Sequence, residues 1–242
     1  MPVYNGAAFV GEAIESILSQ SYRDFEFLIL DDGSTDDTLS IIRSFGDPRI
    51  RLIVHPVNRG LQYTLNEGIG MATYDLIARM DADDISHPWR LEKQIAYMAA
   101  NPRCAMVDSW VKIMDGRKRF VRAEGIYSRF VYYTLTFECC IYHPAVMYRK
   151  NAVQSVGAYR LPYGEDYDLF WQLARRYPIH TIEEPLLWYR VHGNNLNTVV
   201  KKAEYDEYSR LLWQRNLAYY SGNEGEIPAS WIACYTYRFE PL

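Results

Sequence analysis

Helical and strand-like hydrophobic patterns alternate along the first hundred residues, and this alternation restricts the fold more than any other feature of the sequence. A short, nearly continuous apolar run at residues 25–30 is typical of a strand that is buried on both faces, and residues 50–55 are predicted as the next strand. Apolar residues recur at helical spacing over residues 8–20, 39–45 and 61–71. Strands and helices joined by short connections indicate βαβ units on a parallel sheet, so the sequence predicts an α/β fold.

The elements after residue 71 follow the same patterns less regularly. We expect, in chain order, a strand at 74–80, a helix that ends at Asn101-Pro102, a hairpin over 104–123, a strand at 141–149, a helix at 167–176 and a strand at 186–191. The strand at 141–149 is predicted despite Pro144, which cannot donate a backbone hydrogen bond. The stretch 125–140 is ambiguous.

The residue composition of the chain becomes more charged and aromatic after about Asn195, which predicts a boundary between two regions. Residues 1–195 form the expected α/β domain, and residues 196–242 form a mostly helical, aromatic extension. Within the extension we predict a helix at 201–220, a linker at 222–228 and an aromatic tail. Three roles stay open for it: packing on the α/β domain, a homodimer surface, or contact with a membrane.

Charge and composition exclude several classes of protein. The 26 Lys and Arg residues against 30 Asp and Glu residues give a net charge of −4, the wrong sign for a protein that neutralises nucleic-acid phosphates. Apolar residues make up 49% of the chain, enough for a globular core, yet no apolar run approaches the roughly 20 residues of a transmembrane helix. The cysteines at 104, 139, 140 and 234 follow no disulfide or metal-site spacing. Reduced thiols, and therefore a cytoplasmic location, are expected.

Acidic residues stand at the ends of two predicted strands. Asp31 and Asp32 follow the strand at 25–30, and Asp81, Asp83 and Asp84 follow the strand at 74–80. Ligands of open parallel sheets bind beyond the carboxyl ends of the strands, so we expect both clusters at one edge of the sheet. Carboxylates without nearby His or Cys favour Mg²⁺ or Mn²⁺ that bridges to substrate phosphates. Solvated acidic turns that cap helices are the alternative.

Six short motifs occur together in an order that one enzyme family shares. They are Pro2-Val3-Tyr4-Asn5-Gly6, Ser19-Gln20-Ser21-Tyr22, Asp31-Asp32-Gly33-Ser34-Thr35-Asp36, Asn58-Arg59-Gly60, Asp81-Ala82-Asp83-Asp84 and Pro88-Trp89-Arg90-Leu91. With them the chain resembles the family 2 glycosyltransferases over residues 1–195. The resemblance implies the GT-A fold, a Rossmann-like and mainly parallel central sheet flanked by helices. That family has a complete apolar strand before the first motif, so we expect the first strand to be truncated.

The resemblance also implies a site for the donor nucleotide. Pro2 and Tyr4 match positions that contact the nucleotide base in the family. Asp32 matches a carboxylate that binds the base or the ribose. Asp81 matches the first residue of the family's Asp-x-Asp motif, where it would reach the ribose or the hydration shell of a metal ion.

The same motif implies a divalent cation, Mn²⁺ or Mg²⁺. Asp83 matches the metal-binding aspartate, with Asp81 as its neighbour in the site. His192 matches a C-terminal histidine that completes the metal or diphosphate site in some relatives. A neutral imidazole suits Mn²⁺ better than Mg²⁺.

An inverting transfer needs a base for the acceptor hydroxyl. Gly164-Glu165-Asp166 precedes the helix predicted at 167–176 and resembles the family's Glu-Asp motif. The resemblance implies Asp166 as the catalytic base, Glu165 at the acceptor, and His143 near the donor sugar or acceptor. Ordinary acids at a helix start are the alternative for Glu165 and Asp166. The histidines at 55, 87 and 180 match no such position and are expected to be structural or exposed.

The resemblance implies an enzyme that moves one hexose or N-acetylhexosamine from a nucleotide sugar, with a UDP-sugar expected, to a saccharide or lipid-linked acceptor. Surface polysaccharide or glycoconjugate synthesis is the expected role, in the cytoplasm, with peripheral contact at the inner face of the membrane as an open option. The sequence lacks the Gln-x-x-Arg-Trp motif of processive synthases, so single addition is expected. A nucleotidyltransferase and a non-catalytic nucleotide-sugar-binding relative are the alternatives.

Overall fold

The computed structural model of this protein describes residues 1–192 and 202–222, and within these ranges it contains nine β-strands and eight α-helices. The strands are β1 Pro2–Val3, β2 Phe27–Asp31, β3 Ile50–Val54, β4 Leu76–Ala78, β5 Ile85–Ser86, β6 Met106–Asp115, β7 Phe120–Glu124, β8 Met147–Arg149 and β9 Ile179–Val191. The helices are α1 Val10–Leu18, α2 Thr38–Ser44, α3 Leu61–Met71, α4 Arg90–Ala100, α5 Val131–Phe137, α6 Lys150–Ser155, α7 Glu165–Arg176 and α8 Lys202–Ser221.

The first part of the chain forms the parallel βαβ arrangement that its periodicity predicts. β1, β2 and β3 pair in parallel, with Leu30 of β2 opposite Pro2 on one side and Ile53 on the other. The apolar face of α1 packs on β2 in one buried cluster. Each fully buried aliphatic side chain of such a cluster contributes about 1.5–3 kcal/mol of transfer free energy. This packing fixes the carboxyl end of β2, where Asp32 follows.

A second sheet, in the order β4-β8-β6-β9-β5 with β7 on β6, contains the other strands and is mixed. β6 and β9 pair in parallel, from Met106 opposite Ile179 to Asp115 opposite Val191, and every other pair is antiparallel. The β6–β9 register shifts on both sides of Trp110, where β9 has extra residues. Hydrophobic periodicity does not encode pairing direction. The parallel arrangement is therefore confirmed for β1–β3, whereas the second sheet is mixed.

Three elements differ from the sequence prediction for physical reasons. His143–Ala145 forms a 3₁₀ turn, so the strand predicted at 141–149 is confined to β8. Pro144 causes this, because it has no N–H for a sheet ladder. β9 begins at Ile179 rather than at residue 186. The first half of the strand was missed in the sequence prediction because exposed Glu183 and Glu184 interrupt its apolar pattern. The ambiguous stretch 125–140 contains a 3₁₀ turn and α5.

The helix predicted at 201–220 is confirmed as α8, which packs against α5 and α7. Asn216 is fully buried and donates to the Tyr167 hydroxyl (3.1 Å) and to the Leu135 carbonyl (3.4 Å). Arg215 forms an ion pair with the buried carboxylate of Asp168. Residues 223–242, with most of the predicted linker and the aromatic tail, and the boundary predicted at 195 lie outside the described residues. No described helix is both long and apolar enough to cross a bilayer.

We expect the substitution Asp168→Ala to destabilise the protein by about 3 kcal/mol, because it removes the carboxylate that two guanidinium groups share. Asp168 is fully buried between Arg160 and Arg215. Urea denaturation measures the loss. Glu184→Ala is the matched control, since it removes only a surface ion pair with Lys93 and should cost at most about 1 kcal/mol. Equal losses in the two variants would contradict the prediction.

Candidate active site

Three carboxylates cluster in the loop between β4 and β5. One oxygen from each of Asp81, Asp83 and Asp84 lies within 4.8 Å of the others. Asp84 is buried, and its Oδ2 has no hydrogen-bond partner among the described residues. Burial, reinforced by the neighbouring carboxylates, raises the pKa of Asp83 and of Asp84. An all-oxygen cluster with an unused buried oxygen fits a divalent cation, which would remove this repulsion.

The end of β9 supports this cluster from the opposite side. The Nε2 atom of His192 lies 3.0 Å from Asp83 Oδ2. The backbone N–H of Arg190 donates to Asp84 Oδ1 (2.9 Å), and its Nε donates to the Asp83 carbonyl (2.7 Å). The structure therefore brings His192 to Asp83, as the sequence predicts. It adds Arg190, to which the sequence analysis assigned no role, as a donor to Asp84 of the predicted acidic cluster.

Arg79, just after β4, lies between the carboxylate cluster and α7. Its side chain is 4% exposed, and Nη1 donates to Asp81 Oδ2 at 2.5 Å. Burial raises the pKa of Glu165 and of Asp166; the positive charge of Arg79 opposes this rise, and the charge of Asp81 adds to it. These mutual effects mean that the acidic motif after β4 and the Glu-Asp pair lie near one another around a single guanidinium group.

Glu165 and Asp166 begin α7 behind Gly164, which adopts a left-handed conformation with φ of 63°. Burial raises the pKa of Glu165 to about 8, and the charge of Asp166 adds to this effect. Burial also raises the pKa of Asp166, but the backbone N–H of Tyr167 donates to its Oδ1 at 2.7 Å and opposes the shift. Burial therefore favours the protonated form of Glu165, whereas the N–H of Tyr167 favours the ionised form of Asp166.

Asp32 lies at the carboxyl end of β2 in a closed hydrogen-bond network. The backbone N–H groups of Arg59 and Gly60 each donate to its carboxylate at 2.9 Å. The Nδ1 atom of His55 lies 2.7 Å from Asp32 Oδ1, and Nε2 lies 2.5 Å from Glu67 Oε2. Asp32 is only 4% exposed, so only a small part of its side chain is accessible to a ligand.

His55 is thus buried beside a candidate donor-site residue, although the sequence analysis assigned it no role in the site. The sequence held a signal for this placement, because His55 directly follows β3. In the structure the backbone N–H of His55 donates to the carbonyl of Asp31, which ends β2. Burial lowers the pKa of His55, but its hydrogen bonds to Asp32 and Glu67 outweigh that effect, so the pKa lies above the ordinary 6.5.

The β1–α1 loop connects the Asp32 region with the carboxylate cluster. The N–H of Asn5 donates to Ser34 Oγ (2.9 Å), beside Asp32 in sequence. At the other end of the loop the Phe9 ring lies 4.7 Å from the His192 ring, measured between centroids. Tyr4 in this loop is 49% exposed, so its ring is accessible to a ligand, whereas Pro2 is buried in β1.

The fold and these carboxylates together define a class of protein. A Rossmann-like α/β fold with an acidic cluster beyond β4 and a Glu-Asp pair at a helix start is the arrangement of a GT-A glycosyltransferase. Residues 1–160 match the family model described as glycosyl transferase family 2. The chain belongs to this family, and the fold class predicted from the sequence is confirmed.

Relatives in sequence support the same membership. An uncharacterized glycosyltransferase of Haemophilus influenzae is 30% identical over 92% of this chain and 73% of its own length. The O-antigen biosynthesis glycosyltransferase WbnJ of Escherichia coli is 31% identical over 81% of this chain and 79% of its own length. The similarity therefore extends beyond the matched family region and covers most of both relatives.

Two solved structures share the fold. TarS 1-349 of S. aureus, solved in complex with UDP-GlcNAc, has a TM-score of 0.73 at 17% identity and covers 98% of this chain and 69% of that chain. The mannosyltransferase PcManGT of Pyrobaculum calidifontis, solved with GDP-Man and Mn²⁺, has a TM-score of 0.62 at 18% identity, with coverage of 98% and 67%. At these identities the likeness establishes the fold alone.

The substitution His55→Gln should change how stability depends on pH. A histidine whose folded-state pKa is raised contributes stability that is fully present below pH 6.5 and is lost as pH rises through the folded-state value. The free energy of unfolding of the unmodified protein should therefore carry a decrease above pH 6.5 that His55→Gln removes. Urea denaturation between pH 5.5 and 8.5, about the range in which histidine titrates, measures this.

His87→Gln is the control for that experiment. Burial lowers the pKa of His87, so its contribution has the opposite sign, and its removal should leave the decrease above pH 6.5 in place. If His55→Gln and the unmodified protein show the same pH dependence, then the ion pairs of His55 with Asp32 and Glu67 do not form in solution.

Proposed function

We propose that this chain transfers one sugar, a hexose or an N-acetylhexosamine, from a nucleotide sugar to a saccharide or lipid-linked acceptor, with inversion at the anomeric carbon. A UDP-sugar is the proposed donor, and synthesis of surface polysaccharide or a glycoconjugate is the proposed role. The observation that carries the proposal is the approach of two acidic groups to Arg79: the cluster after β4 and the Glu165–Asp166 pair. One group suits a cation and diphosphate, and the other an acceptor hydroxyl.

Asp166 acts as the base in this proposal. Its carboxylate takes the proton of the acceptor hydroxyl while that oxygen attacks the anomeric carbon from the face opposite the nucleotide. The bond between the anomeric carbon and the phosphate oxygen breaks in the same step, so the configuration inverts. Glu165, protonated near neutral pH, donates a hydrogen bond to the acceptor, and His143 completes that pocket.

Asp83, Asp81 and His192 are the proposed ligands of Mn²⁺ or Mg²⁺, and Asp84 lies in the same cluster. The bound cation would neutralise charge that develops on the departing diphosphate. Tyr4 offers an exposed ring to the nucleotide base, with Pro2, Asp32 and Asp81 as further donor contacts. The ligands named for TarS and PcManGT support a nucleotide-sugar donor, and Mn²⁺ in the latter supports the cation.

We also propose the domain limits of the enzyme and its location in the cell. We place residues 1–195 in the catalytic domain and residues 196–242 in an extension, in a protein of the cytoplasm. The contacts of α8 with α5 and α7 support packing of the extension on the catalytic domain. A homodimer surface or peripheral membrane contact through the extension stays an open proposal.

Asp166→Asn should leave donor binding intact and reduce kcat by about 10²–10⁴-fold, the usual contribution of a general base. Isothermal titration calorimetry with UDP and Mn²⁺ measures binding, and release of UDP from a UDP-sugar measures turnover. Glu184→Gln, at the surface, is the control and should match the unmodified enzyme. Unchanged turnover in Asp166→Asn would contradict the proposed base, and release of pyrophosphate from UTP and a sugar 1-phosphate would indicate a nucleotidyltransferase.

Asp83→Asn should abolish the stabilisation that a nucleotide and Mn²⁺ produce together. A ligand that binds only the native state raises apparent stability by about 2.7 kcal/mol at 100 times its Kd, so its loss is visible in a thermal-unfolding scan. A chelator added to the unmodified protein should have the same effect. The same UDP-dependent shift with and without the chelator would contradict a cation-dependent donor site.

A further inference from the structure

His143 lies buried against the Glu165–Asp166 pair. Its side chain is 7% exposed, and its Nδ1 atom lies 4.0 Å from both Glu165 Oε1 and Asp166 Oδ2. Burial, assisted by the charge of Arg79, lowers the pKa of His143 well below its ordinary value, so the imidazole is neutral. One ring nitrogen therefore carries a proton and the other accepts a hydrogen bond.

Tyr159 and the two carboxyl groups lie at opposite ring nitrogens of His143. The Tyr159 hydroxyl is 2.7 Å from His143 Nε2, and Tyr148 belongs to the same buried cluster. Both tyrosines are about 1% exposed, and burial raises the pKa of each, so both remain phenols. The carboxyl groups that Nδ1 faces favour a proton on that nitrogen, and the Tyr159 hydroxyl then donates to Nε2. The imidazole proton then lies on Nδ1 and faces the two carboxyl groups.

We propose that His143 is a positioning residue for Asp166, whose Nδ1–H orients that carboxylate toward the acceptor hydroxyl and favours its ionised form. This inference rests on the proposed function of Asp166 as the base. At 4.0 Å the present interaction is electrostatic rather than a direct hydrogen bond. Such active-site contacts commonly shorten when the substrate binds.

Helix α3 holds this network and connects it with the donor site. The Asn66 side chain accepts from the Tyr159 N–H (3.0 Å) and donates to the Tyr159 carbonyl (2.8 Å). Gln62 donates to the same carbonyl at 3.0 Å. Gly60, which directly precedes α3, donates its N–H to Asp32. Tyr159 therefore cannot shift without moving the helix that also fixes Asp32.

Two substitutions of His143 separate positioning from a purely structural role. In His143→Asn the amide N–H lies near the place of Nδ1, so the donor that faces Asp166 is kept. In His143→Gln the amide lies near the place of Nε2, so the contact with Tyr159 is kept and the donor facing Asp166 is lost. We expect kcat to fall about tenfold or more in His143→Gln and within about threefold in His143→Asn, with KM for the donor unchanged in both.

The pH profile gives a second readout. An N–H donor stabilises the ionised carboxylate, so its loss raises the pKa of the base. The acid limb of kcat/KM in His143→Gln should therefore move to higher pH and remain in place in His143→Asn. The other groups that act on Asp166 are Glu165 on α7, Arg79 and Asp81 at the end of β4, and the Cys139 thiol after α5 at 3.9 Å. None of these is altered by either substitution.

Tyr159→Phe tests the same inference without changing the imidazole. Loss of the hydroxyl frees the ring to carry its proton on Nε2, which turns an unprotonated Nδ1 toward the carboxyl groups. Turnover should fall, and the acid limb should shift as in His143→Gln. His180→Gln is the matched control, because that imidazole bonds to Ser128 and stacks on Tyr97 on another part of the fold.

Equal losses in His143→Asn and His143→Gln, with an acid limb that stays in place, would overturn the positioning role. UDP binding and the unfolding temperature of each variant show whether it is folded. If a His143 variant is not folded, Tyr159→Phe tests the positioning role in its place. Failure of the proposed function is distinguishable, because Asp166→Asn would then retain turnover. An inactive Asp166→Asn with equivalent His143 variants contradicts only this inference.

Discussion

The site depends on a buried positive charge, that of Arg79, which lies among several carboxyl groups. Arg79 bonds to Asp81 and acts electrostatically on Glu165 and Asp166, and its own backbone carbonyl accepts from Nη2 of the fully buried Arg90 at 2.6 Å. Carboxylates taken out of water repel one another and protonate unless an opposite charge compensates them. The guanidinium group of Arg79 therefore allows acids from the β4 end and from α7 to approach each other without a ligand.

The two acidic groups respond differently to this compensation. Asp84 keeps a buried oxygen without a partner among the described residues, so its cluster retains unused capacity for a cation. Burial raises the pKa of Glu165 to about 8, and it also raises the pKa of Asp166, which the N–H of Tyr167 opposes. In the proposed function the first group binds the cation and the second transfers the proton.

The sequence predicted the parts of the fold in which local pattern and tertiary role agree. Helices α1 to α3 and strand β2 follow directly from periodicity, because each helix has one buried face and β2 is buried in the sheet, whereas β3 lies at the sheet edge and is only partly buried. Pairing direction in the second sheet was inaccessible, since β4 reads the same whether its neighbour is parallel or antiparallel. The polar first half of β9 depends on its pairing with β6, which is distant in sequence. Motif resemblance gave Asp83 and Asp166 as candidate site residues, whereas the contact of Tyr159 with His143 is made only on folding.

The register shifts between β6 and β9 limit how this part of the chain can vary in length. Glu183, Glu184 and Leu186 have no residue opposite them in β6, and Arg190 and His192 follow only a few positions later. Successive side chains of a strand point to opposite faces, so residues two apart share one face. Loss of a single residue before Arg190 would turn both groups away from the carboxylate cluster. Evolutionary insertions and deletions here should therefore come in pairs, or arise together with a matching change in β6.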